Sequence, residues 1–187
     1  MSATLDLRAG IPDAARDIRL NLTAELSGGA LSTDQRYGVA LASALAARHP
    51  ALAAAVERDA TAAGVPAAVL EDARAAAALM AMNNIYYRFR HIIGKPTYSD
   101  KPARLRMNRL GQAATTRVDL ELFSLAVSAI NGCEACVRAH EAVVLEGGLT
   151  EDHVHDAVRI AATLHAAAVA LEMGPTTAAP DVTAAVA

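Results

Sequence analysis

Asn131-Gly132-Cys133-Glu134-Ala135-Cys136-Val137-Arg138-Ala139-His140 holds both cysteines of a 187-residue chain. Asn131-Gly132 interrupts an apolar helical run, and Asn131 is suited to cap a new helix there. On that helix Cys136 and His140 share about one face with Cys133, so a single stripe presents thiol, thiol and imidazole. A Cys133 in the first turn lies near free amide hydrogens and the positive dipole end, which favours its thiolate. His140, one turn beyond Cys136, can take the proton of Cys136 or pair with its thiolate, which favours the other sulfur. Spacing leaves open which sulfur attacks first. Both arguments lead to a dithiol that can close to a disulfide, because Cα atoms at i and i+3 on a helix lie within reach of such a bond.

Two other readings compete with a redox couple. Free cysteine packs as a small apolar residue, so the pair can be structural. Zinc is the second, with Cys133, Cys136 and His140 joined by His153 or His155. Common zinc frameworks draw their ligand pairs from separate turns, whereas C-x-x-C in a cytosolic chain reads first as a thiol couple. His153, His155 and His165 are otherwise read as satisfied polar or core residues.

Composition sets the frame. Hydrophobic residues make up 53% and aromatics only 3%, with no Trp, so Ala supplies much of the apolar surface and the helices can pack closely. A net charge of −3, without basic runs interleaved with aromatics, argues against nucleic acid as a partner. Residues 1–8 lack the basic and apolar pattern of an export signal. Charged residues break the apolar runs before about 20 residues, which argues against a membrane span. The expectation is a soluble cytoplasmic protein, where a cysteine pair is more often catalytic than a staple.

No stretch alternates with period two, so the chain reads as all-α. Helices are predicted over residues 12–22, from the Ser32/Gln35 capping box to about 47, over 51–63, and from Pro66 to about 93 before Gly94 and Pro96. A basic connector with Lys101, Arg104, Arg106 and Arg109 follows, read as a solvated crossing between halves. Then come helices over 120–130, through the cysteines to about 146, and from the Thr150 cap to about 173. Residues 1–173 read as one domain and 174–187 as a loose tail. Ala42-Ser43-Ala44-Leu45 recurs as Val127-Ser128-Ala129-Ile130, and Glu71-Asp72-Ala73 as His155-Asp156-Ala157. The domain therefore reads as a duplicated helical unit, with halves at about 32–94 and 120–173. In the first half the cysteine positions fall near Arg48 and Ala51.

Glu121 is the nearest carboxylate upstream of the thiols. On one straight helix it lies about 18 Å from Cys133, so it reaches them only if the chain turns at Asn131-Gly132 or if it serves a neighbouring chain. Taken alone, it reads as a helix-start acid placed by the dipole. Glu134 and Glu141 are read as solvated. Asn83-Asn84, set in an Ala/Met helix that neither residue favours, implies either a buried hydrogen-bond network or a wall of the thiol site.

The run from Glu121-Leu122-Phe123-Ser124 through Asn131-Gly132-Cys133, with Cys136 and His140, resembles the alkyl hydroperoxide reductase AhpD family of the carboxymuconolactone decarboxylase-like superfamily. Met82-Asn83-Asn84-Ile85-Tyr86-Tyr87-Arg88, Leu105-Arg106-Met107-Asn108 and Asp17-Ile18-Arg19-Leu20-Asn21-Leu22 resemble the same proteins, over about residues 5–172. The resemblance implies an all-helical protomer in a homotrimer, with no bound cofactor or metal. It also implies an antioxidant cycle in which the dithiol acts on organic hydroperoxides and on an AhpC-type peroxiredoxin. Lipoyl groups on a dihydrolipoamide acyltransferase then restore the dithiol. By the same resemblance Cys136 attacks, Cys133 resolves to the disulfide, and Glu121 with His140 removes the proton from Cys136. Ala135 stands where members of the family can carry a histidine, so the relay is one imidazole shorter. The rival reading is a non-redox, decarboxylase-like enzyme or a structural helical trimer.

Overall fold

Small residues decide how closely the helices of this chain approach. The computed structural model describes residues 2–174, so the predicted tail lies outside them apart from Gly174. Among the described residues there is no strand, and nine α-helices follow in order. They are α1 (Ala3–Leu7), α2 (Arg16–Glu25), α3 (Thr33–Ala46), α4 (Pro50–Ala62), α5 (Ala67–Ile93), α6 (Pro96–Ser99), α7 (Arg117–Ile130), α8 (Glu134–Glu146) and α9 (Glu151–Glu172).

The local signals act as their chemistry dictates. Both hydrogen bonds of the Ser32/Gln35 capping box form at α3. The His49 side chain accepts the Leu52 N–H ahead of Pro50, and Gly94 ends α5 in the left-handed region. Two expectations need correction. The segment predicted as a helix over 12–22 is a 3₁₀ turn, Asp13–Ala15, followed by α2, and α7 begins three residues before 120, where Thr116 caps it by accepting the Asp119 N–H. The short α1 went unforeseen because five residues carry little periodicity and one partner is remote: Asp59, on α4, accepts the N–H groups of Ala3 at 2.6 Å and Thr4 at 2.8 Å.

α3 and α7 form the centre. They cross where Gly38 faces Phe123, and a Cβ added at Gly38 would stand 2.1 Å from the Phe123 ring. α5 and α9 each pack against both central helices, while α4 folds back on α3 and α8 on α7. By length and composition α9 is apolar enough to cross a membrane, although Asp156 and Arg159 interrupt it. Its Ala157, Ile160, Ala161 and Leu164 stripe is instead buried in the core, where α9 packs on α2, α3 and α7.

Matching elements recur at one constant spacing. α3 and α7 each have 14 residues, α4 and α8 each 13, and the corners between them hold Arg48 at φ 59° and Gly132 at φ 64°. On this match the first-half counterparts of Cys133 and Cys136 are His49 and Leu52, one residue beyond the positions expected. The repeated aspartates do equivalent work across the centre. Asp72, on α5, accepts the backbone N–H of Ala114 at 3.0 Å and of Thr115 at 2.8 Å, on the strap leading into α7. Asp156, on α9, accepts the N–H of Ala30 at 2.6 Å, on the strap leading into α3. Arg109, from the basic connector, pairs with Asp72 at 2.6 Å.

Burial pushes the Asp72 carboxyl up, but hydrogen bonds from Thr115, Ala114 and Arg109 outweigh it and hold the group below its ordinary range. A carboxyl depressed by folding contributes stability that is present above its unfolded value of about 3.9 and lost as pH falls through the folded value. Thermal melts should therefore show stability declining below about pH 4, less steeply in Asp72→Asn. Asp72→Ala should lower the unfolding free energy by about 3 kcal/mol in urea titrations at pH 7, because it strands Arg109 and two backbone donors.

Candidate active site

The site is built on a corner. Gly132 adopts a left-handed conformation, which costs an L side chain about 1 kcal/mol, so the chain can double back there. Asn131 does not cap the following helix, which corrects the sequence-based expectation. It ends α7, and α8 starts at Glu134 with Cys133 as its N-cap. The left-handed turn at Gly132 moves the helix start past Asn131, whose side-chain amide instead donates to Asn84 Oδ1 at 2.9 Å. The Asn131 carbonyl accepts from Arg88, which grips the corner from α5.

α8 consequently runs back along α7. Glu121, distant on a straight helix, meets His140, with Oε2 2.5 Å from Nδ1 and both side chains nearly buried. Arg117 lies 3.9 Å from the other carboxylate oxygen of Glu121. A carboxylate only accepts, so Nδ1 carries the proton of that contact. Nε2 faces Met80 Sδ at 3.3 Å.

Cys133 and Cys136 are bonded to each other, with their Cα atoms 5.3 Å apart. The two sulfurs are not equivalent. Cys133 is 0% exposed at the helix start, whereas Cys136 is 7% exposed and opens on a cavity of about 230 Å³. Met80, Asn83, Tyr87, Leu110 and His140 share that wall. Glu121 borders a second cavity of about 560 Å³, also lined by Arg117 and by Leu110, which the two cavities share.

The two readings of the asparagine pair each hold for one member. Asn84 is a network residue, donating to Ser128 Oγ at 2.9 Å and accepting from Asn131. Asn83 is a wall residue, and its buried Oδ1 has no hydrogen-bond partner among the described residues. An orphaned buried acceptor of this kind costs about 1–3 kcal/mol. Sequence reasoning missed Met80 as part of the site. The signal was available, since Met80, Asn83, Asn84 and Tyr87 follow the spacing of one helical face.

The zinc set does not come together. Both sulfurs are taken up by their mutual bond, His153 turns back on Thr150 at the start of α9, and His155 is exposed farther along that helix. Glu134 is exposed and pairs with Arg138 at 2.9 Å, away from the thiols.

An all-α unit of paired helices, with its cysteines at the start of α8, defines a helical class that known proteins identify. The model of the carboxymuconolactone decarboxylase family matches residues 96–173, which contain the whole of α7, α8 and α9. Alkyl hydroperoxide reductase AhpD of Anaeromyxobacter sp. (strain Fw109-5) is 67% identical over 174 residues, 93% of this chain and 94% of that protein. AhpD of Anaeromyxobacter dehalogenans (strain 2CP-C) is 62% identical over 99% of both chains, and AhpD of Bradyrhizobium sp. (strain BTAi1) 48% identical over 91% of this chain and 94% of its own. The chain belongs to the alkyl hydroperoxide reductase AhpD family.

Asn84→Ala should lower stability by about 1–3 kcal/mol, because Ser128 and Asn131 would then lack their partner inside the protein. A urea midpoint unchanged from the parent would show that the corner does not depend on this network.

Proposed function

We propose that the protein is an antioxidant dithiol oxidoreductase that reduces organic hydroperoxides and the disulfide of an AhpC-type peroxiredoxin. In this reading it works in the cytoplasm and is re-reduced by dihydrolipoyl groups, such as those of a dihydrolipoamide acyltransferase. One observation carries the reading: the outer sulfur of a closed C-x-x-C pair opens on a cavity it shares with His140, whose other nitrogen rests on Glu121.

In the reduced protein Glu121 fixes the proton on Nδ1, which leaves Nε2 free to take the proton of Cys136. The Cys136 thiolate attacks the terminal oxygen of the hydroperoxide and becomes a sulfenic acid, while the alcohol departs. Cys133 then attacks Cys136, forming the disulfide and releasing water. Glu121 also borders the second cavity, with Arg117 at its edge.

Reduction runs through the same asymmetry. A dihydrolipoyl thiolate attacks Cys136, the accessible sulfur, and Cys133 leaves as a thiolate at the N-terminus of α8, where amide hydrogens and the dipole favour it. The second lipoyl thiol closes the dithiolane ring and frees Cys136 beside His140. Two electrons and two protons pass from the dithiol to the protein. The two thiolate arguments therefore apply to different steps. Ala135, in the cavity wall, brings no second imidazole, which suits dithiol exchange better than rapid peroxide turnover. The outer face of α5 supports self-association as a homotrimer, with Ile85, Phe89 and Ile92 exposed along one side.

Cys136→Ser should abolish trapping of a sulfenic acid by a dimedone reagent, and Cys133→Ser should let the trapped species accumulate. Equal trapping in both variants would remove these roles. His140→Ala should slow iodoacetamide alkylation of the reduced protein at pH 7 by about 100-fold and move its pH profile upward. An unchanged profile would reduce the imidazole to a packing group.

A further inference from the structure

With the disulfide closed, both ring nitrogens of His140 face acceptors. Nδ1 rests on Glu121 Oε2 at 2.5 Å, and Nε2 lies 3.3 Å from Met80 Sδ. Neither an ionised carboxylate nor a thioether has a hydrogen to give, so each contact is a hydrogen bond only when the nitrogen carries a proton. The Asn84 amide approaches the same sulfur at 3.7 Å, so Met80 joins the network that holds the corner to the relay that serves Cys136. Met80 is 1% exposed, and water does not compete for these contacts. Leucine would fill the space about as well, but it would leave Nε2 without an acceptor.

We propose that Met80 is a positioning residue that keeps His140 an imidazolium while the disulfide is closed, its Sδ accepting the Nε2–H that later turns to Cys136. The inference rests on the dithiol reading above and assigns the state of its relay before reduction begins. A thioether is a weak acceptor, strengthened here by the charge on its donor. That weakness suits the task, because a thiolate is a far stronger partner and draws Nε2–H away once Cys136 is released. The charged and titratable groups around the ring are Glu121, with Arg117 behind it on α7, Cys136 one turn back on α8, and Tyr87 across the cavity on α5. Met107 and Leu110, from the strap before α7, bring no charge.

The proton on Met80 then serves the reduction. A dihydrolipoyl thiolate attacks Cys136, the bond to Cys133 breaks, and Cys133 leaves with its electron pair. The second lipoyl sulfur attacks the first, the bond between lipoyl and Cys136 breaks, and Cys136 leaves as a thiolate beside an imidazolium that is already formed. A thiolate stabilised in this way leaves faster. Two electrons have passed from the lipoyl dithiol to the cysteine pair. Counted from a neutral ring, the protein gains two protons. One reached Nε2 from solvent in advance, so the lipoyl dithiol gives one of its own to Cys133 and the other to solvent.

The test uses Met80→Leu, which conserves volume and leaves Asn84 its bond to Ser128, so folding is retained. Nitrogen NMR of the disulfide form, with the His140 signals identified by their loss in His140→Ala, should show the ring giving up its second proton about one pH unit lower than in the parent. Met80→Gln, which restores an acceptor at similar reach, should return that midpoint to the parent's. Above both midpoints, dihydrolipoamide should reduce the Met80→Leu disulfide about tenfold more slowly than the parent's. Iodoacetamide alkylation of reduced Met80→Leu should keep the parent's pH profile, since Nε2 then faces Cys136. An unchanged midpoint overturns the proposal, and so does a reduction rate within about twofold of the parent. A midpoint lowered equally by leucine and glutamine also overturns it, because Met80 would then only fill space, and so does a displaced alkylation profile, which would place its effect in the reduced form. If dihydrolipoamide fails to open the parent's disulfide, the dithiol reading itself fails, which is a separate result from the NMR comparison.

Discussion

The reversal of the chain at Asn131-Gly132 is the constraint on which the site depends. Gly132 supplies the left-handed backbone, Arg88 holds the Asn131 carbonyl, and Asn84 holds its side chain. Because the corner is gripped from α5, α8 returns along α7 in a fixed register, and that register brings His140 to Glu121 across nineteen residues of sequence. The same corner sets Cys133 at the buried start of α8 and Cys136 in its first turn. A looser turn would leave the thiols in place on their helix but separate them from the carboxylate that orients the imidazole.

The other half of the molecule shows what the scaffold requires without the chemistry. Its corner has the same left-handed geometry, but at Arg48, a residue for which that conformation is strained. The positions matching Glu121, Cys136 and His140 are Tyr37, Leu52 and Val56. Leu52 and Val56 are fully buried, so the matching helix face fills with packing where α8 opens on a cavity. What both halves keep is the aspartate that fastens the opposite strap, together with the close pairing of α3 with α7 through Gly38 and Phe123. Architecture and reactivity are therefore carried by different residues.

Much of this was legible in the sequence, because the signals involved are local. Capping residues, Gly and Pro stops, and the absence of period-two alternation located the main helices. The C-x-x-C stripe pointed to a closed dithiol, and the repeated Asp72 and Asp156 motifs marked the positions that tie the halves together. Some failures were of local boundaries, such as the Thr116 cap of α7, and in others a partner remote in sequence overrode a local rule. Asn131 is a good N-cap by type, but the turn at Gly132 gives the cap position to Cys133. Ser2 caps α1 by accepting the Leu5 N–H at 3.3 Å, but a helix of five residues carries little periodicity of its own, and Asp59 completes the cap from another helix. Glu121 reads as a dipole acid until the corner folds it onto His140. The length and low charge of α9 were visible, but its burial depends on the helices around it.

The asparagine pair shows how the helix itself separates structure from chemistry. Consecutive side chains on an α-helix point about 100° apart, so two adjacent amides meet different neighbours. Asn84 turns toward Ser128 and Asn131 to hold the corner, while Asn83 stands in the wall of the cavity that Cys136 opens on. A core designed only for stability would place an apolar residue there, since an orphaned acceptor is destabilising and Met or Leu would fill the wall.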